Sequence, residues 1–450
     1  MPEFKLEQSD EIIIGSTGLA TVGKLLQQTS LEKRVNDMKL PNAKNPKVSN
    51  YEVLSSYMGI LVQGKTNFDD IEEFRDNDFF SKLLGINNIP SSPTLRQRLN
   101  KGAGILDQTV KEETINLLKI VNPNFSICNY KKEQQQPEVK DLVPLDCDSS
   151  PFDNSNTQKE GVSRTYKGYN GYHPSFSYFG KEGYLLNVEL KEGKTHSQNG
   201  AEQFLSESID NAKKLIDNDK NILVRLDAGY DSKDIVQLCR GENVKFIIKR
   251  NLRNQNKQKL MDFVRNDGEV STPRKGKKIY RGSFKKEPSW ADTPLRVIYE
   301  VTEETIDKDG QMRLEPEIEI DLYWTNLENA QVPEVIELYH KHGTSEQFHS
   351  EIKTDMDLER LPSGKFNVNQ LVLILGMLAY NILRLMGQIS LHKNDSPLKG
   401  GVQRRRIRTT IQNLIMTASK LVYHARQYIL KFGSQCPWFR TFKRVHKALT

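Results

Sequence analysis

Three stretches of this 450-residue chain place acidic side chains where a metal site could use them. In Leu145–Ser150 (LDCDSS), alternation along a strand puts Asp146 and Asp148 on one face. An acidic pair on one face of an otherwise apolar strand is costly unless hydrogen bonds or a cation compensate it. In Leu223–Ser232 (LVRLDAGYDS), an apolar strand ends at Asp227 and a glycine-containing turn leads into a helix. The carboxyl ends of strands in α/β sheets are where ligands are held. The third stretch is an acidic helical region around Glu346 and Glu351. Each has a plainer reading when taken singly: Asp227 as a turn residue, Asp146 or Asp148 as a buried structural acid, Glu346 as a solvated helix position. Together, carboxylates from three elements match a pair of divalent cations bound by oxygen ligands. Two such ions, about 3.5–4 Å apart, activate an attacking water or hydroxyl and stabilise a leaving oxygen.

The pattern around these residues alternates short strands and helices. Val143–Asp148, Ser175–Phe179 and Tyr184–Leu190 read as strands. Ala201–Ile216 then reads as a helix, Ile222–Asp227 as a strand, Lys233–Cys239 as a helix and Val244–Ile248 as a strand, an α/β layer architecture. From Asn251 to Leu327 the rhythm gives way to basic, turn-rich sequence and then to alternation in Leu295–Val301 and Glu317–Trp324, as expected of an inserted β-rich subdomain. Helices are expected at Val332–His340, Ser345–Lys353, Asn369–Ile389 and Thr409–Phe432. Ahead of a polar linker at Gln134–Pro137, Ser16–Val121 reads as helical, with three-and-four spaced apolar residues in Tyr51–Val62 and Ile71–Leu84. Ser92 can cap a helix with Pro93 in its first turn. Arg96 and Arg98 on that helix suit either a helix-turn-helix recognition element or an ordinary capped surface helix.

LDCDSSPFD from Leu145, EGVSRTYKGYNGY from Glu160, KTHSQNG from Lys194 and RLDAGYDS from Arg225 resemble bacterial insertion-sequence DDE transposases. The resemblance spans roughly residues 142–390. It implies a ribonuclease H-like catalytic domain, and one large group carries a β-rich insertion ahead of the last acidic helix. That group marks the helix with Tyr, Arg at +3, Glu at +7 and Lys at +14; here these positions hold Tyr339, His342, Glu346 and Lys353, with His in place of Arg. At about 100° per residue they share one helix face. The resemblance implies Asp148, Asp227 and Glu346 as metal ligands for two Mg²⁺ ions, with Mn²⁺ as a substitute. Asp148 is preferred to Asp146 because family members place Ser or Thr two residues after the catalytic Asp, as Ser150 does; Asp146 stays a candidate catalytic residue. Tyr339, His342 and Lys353 are the expected contacts to the transposon-end strand. The spacing of 119 from Asp227 to Glu346 leaves room for the insertion.

The implied layout is a helical DNA-binding and dimerisation segment over 1–140, a catalytic domain over 141–250 and 328–392, an insertion over 251–327 and a basic helical C-terminal segment over 393–450. The function expected is cleavage of the element's ends and joining of their 3′-hydroxyls to target DNA. A homodimer bound to transposon ends and target is the expected assembly, in the bacterial cytoplasm beside the nucleoid. The alternatives are an inactive, transposase-derived DNA-binding protein, or a nuclease of the same fold without strand transfer.

Charge is consistent with a polyanionic partner. Lys and Arg number 65 against 58 Asp and Glu, and from Gly364 onward 15 basic residues face one acid, Asp395. Arg404, Arg405 and Arg406 in that segment, and Lys249 and Arg250 after a strand, are candidate phosphate contacts. Tyr166, Tyr169 and Tyr172, interleaved with glycines and Lys167, could stack on DNA, although a turn packed on its own sheet is the plainer reading. Trp290 is a candidate base-stacking aromatic, Trp324 a core residue, and His196 either a site neighbour or a bonded loop histidine. Four dispersed cysteines with no C-x-x-C pair argue against a zinc site or disulfide framework. The first residues show no signal-peptide pattern, and the apolar run Leu371–Met386, interrupted by Asn381 and Arg384, reads as a buried helix rather than a membrane span.

Overall fold

The computed structural model describes residues 2–41, 46–76, 78–126, 137–216, 221–252, 256–291, 293–391, 395–398 and 402–450. The linker expected at Gln134–Pro137 lies outside these residues except for its last proline. The sheet is organised around β1 (Leu142–Ser149), whose apolar run is buried along most of its length. On one side β2 (Ser175–Phe179) and β3 (Tyr184–Glu189) continue antiparallel. On the other, β4 (Asn221–Leu226) and β5 (Lys245–Lys249) run parallel to β1, each reached through a helix, α3 (Ala201–Lys213) and α4 (Lys233–Gly241). α1 (Asn50–Leu61) and α2 (Ser92–Gly102) belong to the helical layer that precedes the sheet.

The segment expected as a β-rich insertion lengthens this sheet. Four antiparallel strands, β6 (Glu269–Arg274), β7 (Lys277–Lys286), β8 (Leu295–Ile306) and β9 (Met312–Thr325), join it through β9, where Tyr323–Thr325 pair with β5. The nine strands run in the order β6-β7-β8-β9-β5-β4-β1-β2-β3. The free edge of β5 explains the join, since an unpaired strand edge needs a partner or a cover. A helix at Lys257–Asp267 precedes these strands, so the segment is not purely β.

After β9 the chain runs through α5 (Val332–His340), a 3₁₀ segment Lys341–Thr344, α6 (Ser345–Ser350) and a π-helical turn Glu351–Asp355. The long helix α7 (Phe366–Ile389) is buried through Leu371–Gly387. Among the described residues it alone is long and apolar enough to cross a membrane, yet it packs on β3 as a core helix. Its polar interruptions have partners inside the protein. The Asn381 side-chain amide donates to the Leu185 carbonyl and accepts from the Leu185 N–H at 2.7 and 2.9 Å. Arg384 bonds to Glu351 and to the Tyr380 hydroxyl.

The expected helix at Thr409–Phe432 is mostly a hairpin. Helical turns end at Ile415, and Ser419–His424 pairs with Gln427–Phe432. The alternating, aromatic-rich KLVYH and QYILKF favour strands over a helix. The two-residue turn holds Ala425 and Arg426 at φ 49° and 63°, the left-handed pair that a type I′ turn requires. Ile13–Ile14 adds a third strand to this hairpin, so the basic C-terminal segment is not wholly helical.

The helix at Ser92–Gly102 is capped by Ser91, whose hydroxyl accepts from the Thr94 N–H, so Ser92 is its first residue rather than its cap. Neither central residue of the 425–426 turn is the glycine or asparagine that such a turn favours. Replacing Ala425→Asn together with Arg426→Gly is expected to stabilise the protein by about 1 kcal/mol. Urea unfolding should show the gain as a higher midpoint at unchanged slope.

Candidate active site

The register between β1 and β4 brings the acidic residues together. Asp146 pairs with Arg225 and Cys147 with Leu226, so the next residues, Asp148 and Asp227, leave adjacent parallel strands side by side. Adjacent strands lie about 4.8 Å apart. The Arg225 guanidinium grips Asp146 through two bonds of 2.6 Å and donates a third to the Leu338 carbonyl. His342 Nδ1 adds a bond of 3.0 Å to the same carboxylate. Burial works against the charge on Asp146, but Arg225 and His342 outweigh it and hold the carboxyl below its usual range. Burial likewise opposes a charge on His342, and Asp146 overrides it, raising the imidazole above its ordinary value. Asp146 is 2% exposed, with both oxygens engaged by the Arg225 guanidinium.

Asp148, one turn of the pleat further, has one-fifth of its side chain open to solvent. Its Oδ1 accepts from the Ser149 N–H at 2.7 Å, and its Oδ2 meets His349 Nε2 at 3.1 Å and the Ser345 hydroxyl at 3.4 Å. The other ring nitrogen of His349 is bonded to the Tyr178 hydroxyl at 2.9 Å. Burial again opposes ionisation, and the His349 bond overcomes it, so Asp148 stays below the usual carboxylate range. Asp227 accepts from the Gly229 N–H at 2.9 Å. Burial, and then the charge on Asp148, push its carboxyl above the usual range. Two carboxylates forced together in a shielded place, one of them resisting ionisation, form a site that a cation would relieve.

The signature helix lies against this pair in a different phase from the even spacing expected of it. Its 3₁₀ segment turns about 20° further per residue than an α-helix. Inward positions go to His342, Ser345 and His349, which meet Asp146 and Asp148. Glu346, the residue after Ser345, is exposed and makes no hydrogen bond or ion pair among the described residues. Among the described residues, no three His, Cys, Asp or Glu side chains form a group able to hold a metal. The structure therefore brings Asp148 and Asp227 together and leaves Glu346 on an adjoining helix with its carboxylate in solvent.

Several expected DNA contacts have partners inside the protein. Tyr339 is 9% exposed and packs on Tyr323 with ring centres 4.5 Å apart, and His342 is buried on Asp146, so neither presents its ring to solvent. Lys353 donates to the Pro151 carbonyl at 2.6 Å and lies over Phe152; burial lowers its ammonium below the usual value. Arg404 pairs with Glu351 and Gln347, and Arg405 is buried against Ser390 and the Trp438 ring. Arg406 pairs with Asp355, though half its side chain is exposed. Arg98 is buried and bonds to the Val48 carbonyl and Asn50, whereas Arg96 stays exposed beside Asp69. Lys249 pairs with Asp321 at 2.6 Å. Arg250 stacks on Trp324 at 4.2 Å, in a groove whose other walls include Trp290, Phe263, Phe284 and Lys259. Arg404 and Arg406 are drawn to the buried carboxylates of Glu351 and Asp355, which composition alone does not disclose.

Arg225 and His349 escaped notice in the sequence, but a signal for Arg225 was present. An arginine inside the apolar run Ile222–Leu226 requires a buried acid, and Asp146 is the acid that the register supplies. Nothing comparable marks His349. Removing Asp146 strands Arg225, so Asp146→Ala is expected to cost about 3–5 kcal/mol in denaturant unfolding. An acid whose folded pKa lies above its unfolded value holds its proton more tightly when folded, so it weakens the fold as pH rises through that interval. With metal chelated, Asp227→Asn is therefore expected to raise the unfolding midpoint at pH 7. The gain should vanish at pH 3, below the ordinary aspartate range, as urea titrations at the two pH values will show.

Residues 5–450 match the family described as transposase DDE domain, group 1. No curated protein matches the chain. Among solved structures, the piggyBac transposase synaptic complex with hairpin DNA, determined by cryo-EM, is similar at 12% identity and a TM-score of 0.38, over 82% of this chain and 74% of that one. With a match that extends over nearly its whole length, the chain belongs to the DDE transposase family.

Proposed function

We propose that this transposase cleaves the ends of its own element and joins the freed 3′-hydroxyls to target DNA, using a divalent metal pair held by Asp148, Asp227 and Glu346. The observation that carries the reading is the placement of Asp148 and Asp227 at the ends of neighbouring parallel strands, where burial and then the charge on Asp148 raise Asp227. Hard oxygen ligands of this kind suit Mg²⁺ or Mn²⁺. Bound there, the ions supply a deprotonated oxygen nucleophile and charge stabilisation for the leaving oxygen.

The chain's own residues perform the remaining tasks. His349, anchored by Tyr178, aims one oxygen of Asp148 while the Ser149 amide fixes the other. Glu346, exposed on α6, would complete the ligand set by turning from solvent toward the pair. Lys353 presents a cation beside Phe152, close to the end of β1, where a phosphate would approach. The five strands β3-β2-β1-β4-β5, with β2 antiparallel to β1, are read as a ribonuclease H-like core. The two ends are held by a homodimer acting on the bacterial chromosome.

One observation favours a second reading, a DNA-binding protein without cleavage activity: His342 stands where the related signature has an arginine, and it faces Asp146 rather than solvent. Cleavage of a duplex carrying the element's ends, with Mg²⁺, separates the two. Wild type is expected to nick at the ends, and Asp148→Asn, Asp227→Asn and Glu346→Gln to lose on the order of 10²–10³-fold or more in rate. Independently of activity, Mg²⁺ at 100 times its Kd should stabilise wild type by about 2.7 kcal/mol and leave Asp227→Asn nearly unmoved. Tight end binding with no nicking by any of these proteins would establish the second reading.

A further inference from the structure

We propose that Tyr166 is a stacking platform for a nucleobase of the DNA strand beside the scissile phosphate. This rests on the reading of Asp148 and Asp227 as the phosphodiester centre. The three tyrosines of the segment Ser163–Tyr172 have separated roles. Tyr172 is buried, its hydroxyl bonded to the Glu160 carbonyl, and the Tyr169 hydroxyl bonds to the Pro151 carbonyl. Tyr166 alone of the three is turned outward: it is 69% exposed, and its hydroxyl has no hydrogen-bond partner among the described residues.

The ring is nevertheless rigidly mounted. It sits in the turn between the short strands Ser163–Arg164 and Asn170–Tyr172. The Thr165 N–H and hydroxyl both donate to the Tyr169 carbonyl at 2.8 Å, and the Gly168 N–H donates back to the Thr165 carbonyl at 3.0 Å. Gly168 has φ +86°, a conformation that a side chain would strain. The Tyr166 ring rests on the ring of His173 at 5.3 Å between centres. His173 is itself 2% exposed and fixed by a 2.9 Å bond to the Thr195 carbonyl.

This platform stands beside the acid pair. The Ser150 N–H donates to the Pro174 carbonyl, and Ser149 and Asp148 pair with Ser175 and Phe176, so His173 lies beside the point where the chain leaves Asp148. Burial, followed by the charges on Asp148 and Asp227, raises the Tyr166 hydroxyl above its usual value. Lys167 follows it directly in the chain, and like Tyr166 it is exposed. A neutral aromatic face next to a lysine, near two carboxylates, suits a base and its neighbouring phosphate. Such stacking tolerates any sequence, because every base offers a π face. The base best placed to use it is the terminal one of a cut strand, whose outer face has lost its neighbour.

The test uses full-length protein and a pre-nicked duplex of the element's end, with 2-aminopurine at the 3′-terminal position of the nick. Wild type, Tyr166→Phe and Tyr166→Trp are expected to quench its fluorescence on binding, while Tyr166→Ala leaves it unquenched. In cleavage, Tyr166→Ala should raise KM by about tenfold with kcat nearly unchanged, and Tyr166→Phe should restore it. If Tyr166→Ala quenches and cleaves as wild type does, the inference is overturned. If wild type quenches through Tyr166 but never cleaves, the stacking role stands and the phosphodiester reading falls instead.

Discussion

Everything near the acid pair depends on one buried ion pair. Asp146 and Arg225 face each other across the β1–β4 register, and their bidentate contact holds the two strands that carry Asp148 and Asp227. Arg225 also reaches the carbonyl of Leu338, and His342 reaches Asp146, so the signature helix is tied to the same two strands. Such a pair gains little net stability over apolar residues of similar size, since desolvation offsets most of its attraction. Its value lies in direction: a register slip or a rotated helix would leave charge buried without a partner. The partly shielded carboxylates of Asp148 and Asp227 are thus positioned by a set of buried charges.

The architecture was partly legible from alternation and helical spacing. β1 to β5 and their two connecting helices follow the expected spans closely, because each strand is apolar and bounded by turn residues. Two features were not legible. The strands after Asn251 gave their β pattern but not their partner, since pairing with β5 is a long-range choice that local sequence does not encode. The C-terminal hairpin was taken for a helix because its apolar residues fit either period over a short run; the left-handed Ala425–Arg426 turn lacks the glycine that announces such a bend.

At the site, the acidic residues were legible by type and their partners were not. Asp148 and Asp227 stood out as acids at strand ends, and the parallel register sets them side by side. The equal spacing of Tyr339, His342, Glu346 and Lys353 suggested one continuous face, but changes of helix type along the run redistribute those side chains. Two of the arginines expected to contact phosphate, Arg404 and Arg406, also have acidic partners inside the protein. These are Glu351 and Asp355, acids that sequence alone leaves looking like surface residues.

The pairing of Ile13–Ile14 with Ser419–Lys420 has a consequence for how the protein is made. Some 400 residues separate these partners, so during synthesis the early strand has no neighbour until nearly all the sequence between them has left the ribosome. Domains that emerge first can fold as they appear, but this small sheet closes only after Lys420 has emerged. A nascent chain therefore carries the unpaired strand while the intervening sequence is made, and closing that edge is the step that joins residues 13–14 to residues 419–420.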